Sequence, residues 1–243
     1  MGLQKTNGIV LNQFKYSETS LIVNILTEEY GKMSFIVNGV RKKKSKFPAN
    51  YFQSFNLLQI VFIESKKSDL HKITEISNQI VLTDIIFNIQ KTSICMFLAE
   101  IINITSQKLE KDDKLYQFLE QIIQYIDSAK NEEISNIHLW SMLRLMQFNG
   151  ISPNNNFSEQ NKFFNPVEGS FSYETLKNKY IYSEENSKII HQLLGSSIDT
   201  SSKIKINKNS RLELLELMTQ YFQLHIDGFK ASKSLSILSE IFA

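Results

Sequence analysis

Apolar and polar residues alternate with a period of two in several short runs before residue 80. In the run KMSFIVNG, the side chains of Met33, Phe35 and Val37 share one face. Four more runs of this kind are GIVLNQF, SLIVNILT, NLLQIVFIE and, more weakly, DLHKITEIS. This period is typical of half-buried strands. Gly31 suits the short hairpin loop between SLIVNILT and KMSFIVNG. Five short strands within 80 residues favour a small closed barrel.

After about residue 82 the apolar positions follow a helical period instead. The run from Ile94 to Ile101 has the spacing i, i+3, i+4, i+7, and later runs repeat it. We therefore predict an α+β chain with a barrel domain at 1–80 and an all-α helical domain at 81–243. Within the second domain, residues 150–182 are rich in Asn and contain two Pro and two Gly, which favours a loop with a short hairpin.

Three helix starts are predicted from capping residues. Thr83 or Asp84 is a candidate N-cap for the first helix, and Ser183 is a candidate for the helix in SEENSKIIHQLL. Ser210 and Glu213 have the capping-box spacing, in which Ser caps the helix and the Glu side chain reaches back.

The positive charge of the chain is concentrated in its first third. The net charge is only +2, but residues 1–80 carry 11 Lys and Arg against 6 Asp and Glu. The remaining residues carry 16 against 19, so their net charge is negative. A local excess of cations in one domain is what a binding surface for a polyanion requires.

The densest cations lie in GVRKKKSKFPANYF, between the third and fourth predicted strands. This position places them in a loop at the rim of the barrel. Phe47, Tyr51 and Phe52 follow; one of them, with Tyr51 as our candidate, is expected to stack on an unpaired base while cations contact phosphates. A charge run of this kind is also common in ordinary solvated loops. The predicted phosphate contacts are Arg41, Lys42, Lys43, Lys44 and Lys46, with Lys15 and Lys32 as secondary candidates.

The sequence gives little support for catalysis or for a bound cofactor. The four histidines are scattered, no glycine-rich phosphate loop occurs, and adjacent carboxylates lie at turns or helix starts. Cys95 is the only cysteine, which excludes a disulfide within the chain, and its apolar surroundings predict a buried, inert thiol. The first residues lack the features of a signal peptide, so we expect a cytosolic protein. Because the search for catalytic motifs finds little, we also expect that the protein is not an enzyme.

The order of these motifs resembles the RecO family of bacterial DNA repair proteins. The similarity is strong at the N-terminus and moderate at the C-terminus. The N-terminal positions are Gly8 to Leu11, Tyr16, Glu18, Leu26, Thr27, Glu29, Gly31, Gly39, Arg41 and Ser45. The C-terminal positions are Arg211, Tyr221, His225, Lys233, Ser234 and Leu238.

The resemblance implies an OB-fold barrel followed by a helical domain. It also implies binding of single- and double-stranded DNA, annealing of complementary strands, and partnership with RecR and with single-stranded DNA-binding protein, so that RecA is loaded during recombinational repair. Many family members carry a four-cysteine zinc module in the region that matches 150–182. This region has no Cys or His here, so we expect a metal-free version held by packing of Phe157, Phe163, Phe164 and Phe171.

Candidate contacts for single-stranded DNA-binding protein are Arg144, Arg211 and Lys233, because an acidic, apolar-ended peptide requires cations beside an apolar groove. Each of the three is also explained by an ordinary solvated or paired side chain. Two other functions stay open at this point: an OB-fold RNA-binding protein, and a scaffold whose basic loop contacts an acidic protein.

Overall fold

The first unit is built around a closed five-stranded barrel. The computed structural model describes residues 2–42, 44–106, 110–173, 183–230 and 232–242, and its contacts divide the chain into two compact units, Met1–Ser128 and Ala129–Ala243. The strands pair in the order β1-β2-β3-β5-β4, and β4 pairs with β1 to close the barrel. Only the β3–β5 pair is parallel. The strands are β1 Leu3–Lys15, β2 Leu21–Thr27, β3 Gly31–Val37, β4 Leu57–Ile63 and β5 Leu70–Asn78.

This arrangement confirms the predicted five-stranded OB-fold barrel. The β2–β3 hairpin turns as the sequence indicates, because Gly31 takes a φ of 69° and the Thr27 hydroxyl donates to its carbonyl oxygen at 2.7 Å. Gly8 is required for a different reason: a Cβ there would collide with Ile25 on the neighbouring strand. The inward faces of the strands bury side chains such as Val23, Phe35 and Ile60 completely. Burial of these apolar side chains is the main stabilising contribution to the barrel.

In the described part of the first unit, two α-helices follow the barrel, α1 at Ile89–Thr105 and α2 at Asp113–Ser128. The predicted N-caps of α1 were wrong. A 3₁₀ helix at Ile85–Phe87 precedes α1. The Asn88 side chain caps α1 by accepting hydrogen bonds from the amides of Gln90 and Lys91. Cys95 lies buried in α1, and burial raises the pKa of its thiol, which confirms the prediction of a buried thiol.

The second unit is helical and, in its described residues, contains a short hairpin. Its helices are α3 Ile137–Phe148, α4 Glu184–Gly195, α5 Ile198–Ser201, α6 Lys208–His225 and α7 Ser234–Phe242, and its strands are β6 Phe163–Asn165 and β7 Ser170–Ser172. Ser183 caps α4 as predicted. The predicted capping box at Ser210 was wrong, because α6 begins earlier and Asn207 caps it by accepting from the Ser210 amide. The domain limits 1–80 and 81–243 stay a prediction.

Aromatic packing holds the described part of the hairpin region. The Phe171 ring contacts the rings of Phe157 and Phe164 at centroid distances of 5.4 and 5.3 Å. Gly169 is required in the turn, since its φ is 62° and a Cβ would lie 2.6 Å from the Tyr221 hydroxyl oxygen. The end of the predicted 150–182 region, at 174–182, lies outside the described residues. Within the described ranges no cluster of three His, Cys, Asp or Glu side chains could hold a metal ion, and no helix is long and apolar enough to cross a membrane.

Candidate nucleic-acid interface

The basic loop begins where β3 ends and is tied to the turn between β1 and β2. Gly39 takes a φ of 74°, a conformation that glycine adopts without steric cost. The Arg41 amide donates to the Thr19 carbonyl oxygen at 3.4 Å, and the Ser20 hydroxyl donates to Asn38 Oδ1 at 2.9 Å. These contacts position the loop at the rim of the barrel, as the sequence predicts.

The cations of this loop are directed to solvent. Lys43 lies outside the described residues, and Arg41, Lys42, Lys44 and Lys46 are all exposed. Lys46 is partly committed, since its Nζ donates to the Thr74 carbonyl oxygen at 2.7 Å and lies 5.0 Å from the centroid of the Phe47 ring. Among the described residues, the other three side chains have neither an ion pair nor a hydrogen bond. Unpaired exposed cations are available to contact phosphate groups.

The aromatic residues after the loop differ in their availability. Phe47 and Phe52 are buried in the barrel core, whereas Tyr51 is half-buried and packs against the same core. Tyr51 and Phe52 lie in a 3₁₀ helix at Ala49–Phe52, before β4 begins at Leu57. Tyr51 is therefore the only one of the three that is not buried.

Sequence reasoning missed an aromatic surface on the outside of β1 to β3. Phe14 pairs with Ile22, Ile22 pairs with Ile36, and these residues form a row across the outer face of the barrel. Phe14 is 48% exposed, and Tyr16 in the β1–β2 turn is 60% exposed. This surface exists because β1 is long: its pairing with β2 continues to Lys15, past a bulge between Val10 and Asn12. The outer face of these strands is where OB-folds commonly bind oligonucleotides.

A polar ladder runs beside the row of Phe14, Ile22 and Ile36. The Asn24 side chain donates to Asn12 Oδ1 at 2.8 Å, and the Ser34 hydroxyl donates to Asn24 Oδ1 at 2.7 Å. Further cations that the sequence reasoning did not select flank this face. They are Lys66 and Lys67 in the exposed β4–β5 loop and Lys72 on β5, which pairs with Ile36.

The two secondary candidates have different environments. Lys15 is exposed at the end of β1, between Phe14 and Tyr16 in the sequence. Lys32 is half-buried, and its Nζ donates to the Asn103 carbonyl oxygen near the end of α1 at 2.8 Å. Burial lowers the pKa of Lys32. The Lys32 ammonium therefore already has a structural role in the barrel–helix contact.

Arg144 and Arg211, which are partner candidates in the second unit, also have structural contacts. One Arg144 nitrogen donates to the Leu194 and Ser196 carbonyl oxygens at 3.2 and 2.6 Å, and the guanidinium lies 5.0 Å from the Trp140 ring centroid. Arg211 donates to Asn136 Oδ1 at 3.3 Å and to the Ile206 carbonyl oxygen at 3.1 Å. Burial lowers the pKa of both. Lys233 is exposed.

Comparisons with known proteins cover both units. The family model described as Recombination protein O N terminal matches residues 1–79, and the one described as Recombination protein O C terminal matches residues 86–234. DNA repair protein RecO of Christiangramia forsetii is 32% identical over 98% of each chain. The RecO proteins of Phocaeicola vulgatus and Azobacteroides pseudotrichonymphae are 31% and 29% identical; the matches cover 99% of this chain and 100% and 99% of the relatives, respectively. The chain belongs to the RecO family of DNA repair proteins.

Proposed function

We propose that this protein is a recombination mediator that binds single- and double-stranded DNA and anneals complementary strands. The observation that supports this most directly is the position of Arg41, Lys42 and Lys44, which are exposed and unpaired within the described residues beside the aromatic outer face. Cations on the rim contact phosphates, while Phe14 and Tyr16 stack on unpaired bases. We assign no covalent chemistry to the protein.

Annealing follows from this surface by electrostatics. Two strands repel each other through their phosphates, and a cationic surface reduces that repulsion while it raises the local concentration of strands. Base pairing then supplies the free energy for annealing. Double-stranded DNA is held through its phosphates alone, because its stacked bases are not available to the aromatic side chains.

The partners in this proposal come from the family resemblance. We propose that the protein acts with RecR and with single-stranded DNA-binding protein to load RecA on covered strands. Lys233 is the most exposed of the three predicted contacts for single-stranded DNA-binding protein. The residues that contact RecR stay unassigned.

The test combines strand binding with strand annealing. We would measure anisotropy of a labelled single strand, and energy transfer between two labelled complementary strands, for the wild type and for a variant with Ala at 41, 42, 43, 44 and 46. The proposal predicts that this variant binds at least tenfold more weakly and anneals correspondingly more slowly. An RNA strand of the same sequence, added as competitor, measures whether the surface prefers DNA.

A matched control removes the same charge elsewhere. Five exposed lysines of the second unit are replaced by Ala together: Lys188, Lys203, Lys205, Lys208 and Lys230. We expect this control to retain most of its strand affinity. Equal losses in the two variants would show that net charge alone determines affinity and would contradict an interface at the basic loop.

A further inference from the structure

A cavity of about 620 Å³ opens in the first unit beside the 3₁₀ helix at Ala49–Phe52. Its lining combines the Tyr51 and Phe87 rings with amide side chains, among them Asn50, Gln53 and Asn78. No charged residue of the described chain lines the cavity. An uncharged lining of rings and amides suits a neutral, planar, polar-edged group better than it suits a phosphate.

The apolar side of the cavity is exposed, and the segment that carries it is hydrogen-bonded to α2. Phe87 is 83% exposed and Val81 is 67% exposed, so two large apolar side chains of this segment face solvent. The Asp127 carboxylate accepts hydrogen bonds from the Thr83 and Ile85 amides, both at 2.9 Å. Burial alone would raise the pKa of Asp127, but these backbone hydrogen bonds lower it. The segment that carries Phe87 is thus anchored before any ligand binds.

Some amide side chains that line the cavity have no hydrogen-bond partner within the described residues. The Asn56 side chain is committed, because it donates to the Asn50 and Tyr51 carbonyl oxygens at 2.7 and 3.1 Å. The side chains of Gln53 and Asn78 make no hydrogen bond within the described part of the chain. Each amide offers a donor and an acceptor side by side, which is the pattern on the edges of nucleobases.

Two paths connect the cavity to the basic loop: the chain itself and strand β5. Pro48, which lines it, directly follows Phe47. The Lys46 ammonium bonds to the Thr74 carbonyl oxygen on β5, and Asn78 lies four residues further along that strand. Four residues of strand span about 13 Å, a distance that a few nucleotides of a single strand can bridge.

We propose that this cavity binds an unpaired base of a single strand whose phosphates contact the basic loop. The base stacks on the Phe87 ring, and Gln53 and Asn78 hydrogen-bond to its edge. This inference rests on the proposed function and adds a second base contact to the stacking on Phe14 and Tyr16, one that also forms hydrogen bonds to the edge of an unpaired base.

The experiment compares an ordinary oligonucleotide with an abasic strand of the same length, which keeps the phosphates and lacks the bases. Phe87→Ala is expected to weaken binding of the ordinary strand roughly tenfold and to leave the abasic strand unaffected. The double variant Gln53→Ala and Asn78→Ala is expected to act in the same direction. Tyr173→Ala is the matched control, since Tyr173 is a 75% exposed aromatic residue of the second unit.

The outcomes separate this inference from the proposed function. If Phe87→Ala leaves the ordinary strand unaffected while the basic-loop variant weakens it, the base site is wrong and the phosphate interface stands. Equal weakening of both strands by Phe87→Ala would also contradict a base contact. Loss of a protein partner with unchanged strand affinity would identify the cavity as a protein-docking surface instead. If the wild type binds neither strand, the proposed function itself fails.

Discussion

Two regions of the molecule use the same kind of side chain in opposite ways. In the basic loop of the first unit, the side chains of Arg41 and Lys44 are exposed and have no hydrogen bond or ion pair within the described residues. In the second unit, Arg144 and Arg211 donate to carbonyl oxygens and are half-buried. The loop cations add little to folding and are free for a ligand, whereas the helix arginines satisfy backbone oxygens that would otherwise be unpaired.

The difference shows what local sequence does and does not reveal about a cation. Adjacent cations repel one another, so a dense run indicates exposure by itself. An isolated arginine in a helical pattern carries no such signal, because its role depends on which carbonyl oxygens a distant part of the chain brings near. Arg144 reaches Leu194 and Ser196, about fifty residues away in sequence, and no local pattern predicts that contact.

The largest effect that we expect in this comparison is on stability, and it comes from protonation of a buried histidine in the second unit. His138 is fully buried, neither ring nitrogen has a hydrogen-bond partner among the described residues, and burial, with a smaller effect of Arg211, lowers its pKa to about 3. The unfolded chain takes up this proton near pH 6.5, so stability is retained above that pH and falls as the pH decreases towards 3. The expected loss is on the order of 3 kcal/mol by pH 4.

The measurement is urea unfolding at several pH values for the wild type and for His138→Leu. We expect the variant to show a shallower decline of stability below pH 6.5, because it has no buried imidazole to protonate. Identical declines in the two proteins would show that His138 does not contribute.

The next effect separates the two classes of arginine. Arg211→Met leaves Asn136 Oδ1 and the Ile206 carbonyl oxygen without this donor, so we expect a loss of about 2 kcal/mol in the free energy of unfolding and unchanged strand affinity. Arg41→Met is the matched exposed variant. We expect it to weaken strand binding and to leave the free energy of unfolding unchanged. Chemical denaturation and strand anisotropy on both variants test this, and a loss of strand affinity in Arg211→Met would break the comparison.

The smallest effect concerns a lysine of the basic third that is half-buried. Lys32→Met removes the hydrogen bond to the Asn103 carbonyl oxygen, and we expect about 1 kcal/mol of destabilisation with little change in strand affinity. Lys15→Met, at an exposed position, is the control and is expected to leave stability unchanged. If Lys32→Met weakened DNA binding as much as a change in the loop does, the ammonium would have to leave its helix contact when DNA binds.

The barrel was predictable from the sequence because its signals are local. Alternation within each strand, Gly31 in the hairpin and the cation run between two strands all follow from neighbouring residues. Helix starts were less predictable. Ser210 has the spacing of a cap, but Asn207 is equally suited to capping and begins α6 one turn earlier.

The interface was only partly predictable for a similar reason. The basic loop was found because its charges are consecutive. Phe14 was missed because its exposure depends on a bulge in β1 and on pairing with Ile22, which joins it to the row on the outer face. The cavity at Phe87 was missed because it forms where the 3₁₀ helix at Ala49–Phe52 approaches residues at the end of β5.

The most direct test of the central claim is the salt dependence of single-strand binding. For the wild type and for the variant with Ala at 41, 42, 43, 44 and 46, the logarithm of the association constant is plotted against the logarithm of salt concentration. Each phosphate neutralised on a single strand contributes a slope of about −0.7, so removal of the loop cations should flatten the slope by roughly 2 to 3.5. Equal slopes for the two proteins would contradict the account, because they would show that the loop cations contact no phosphates.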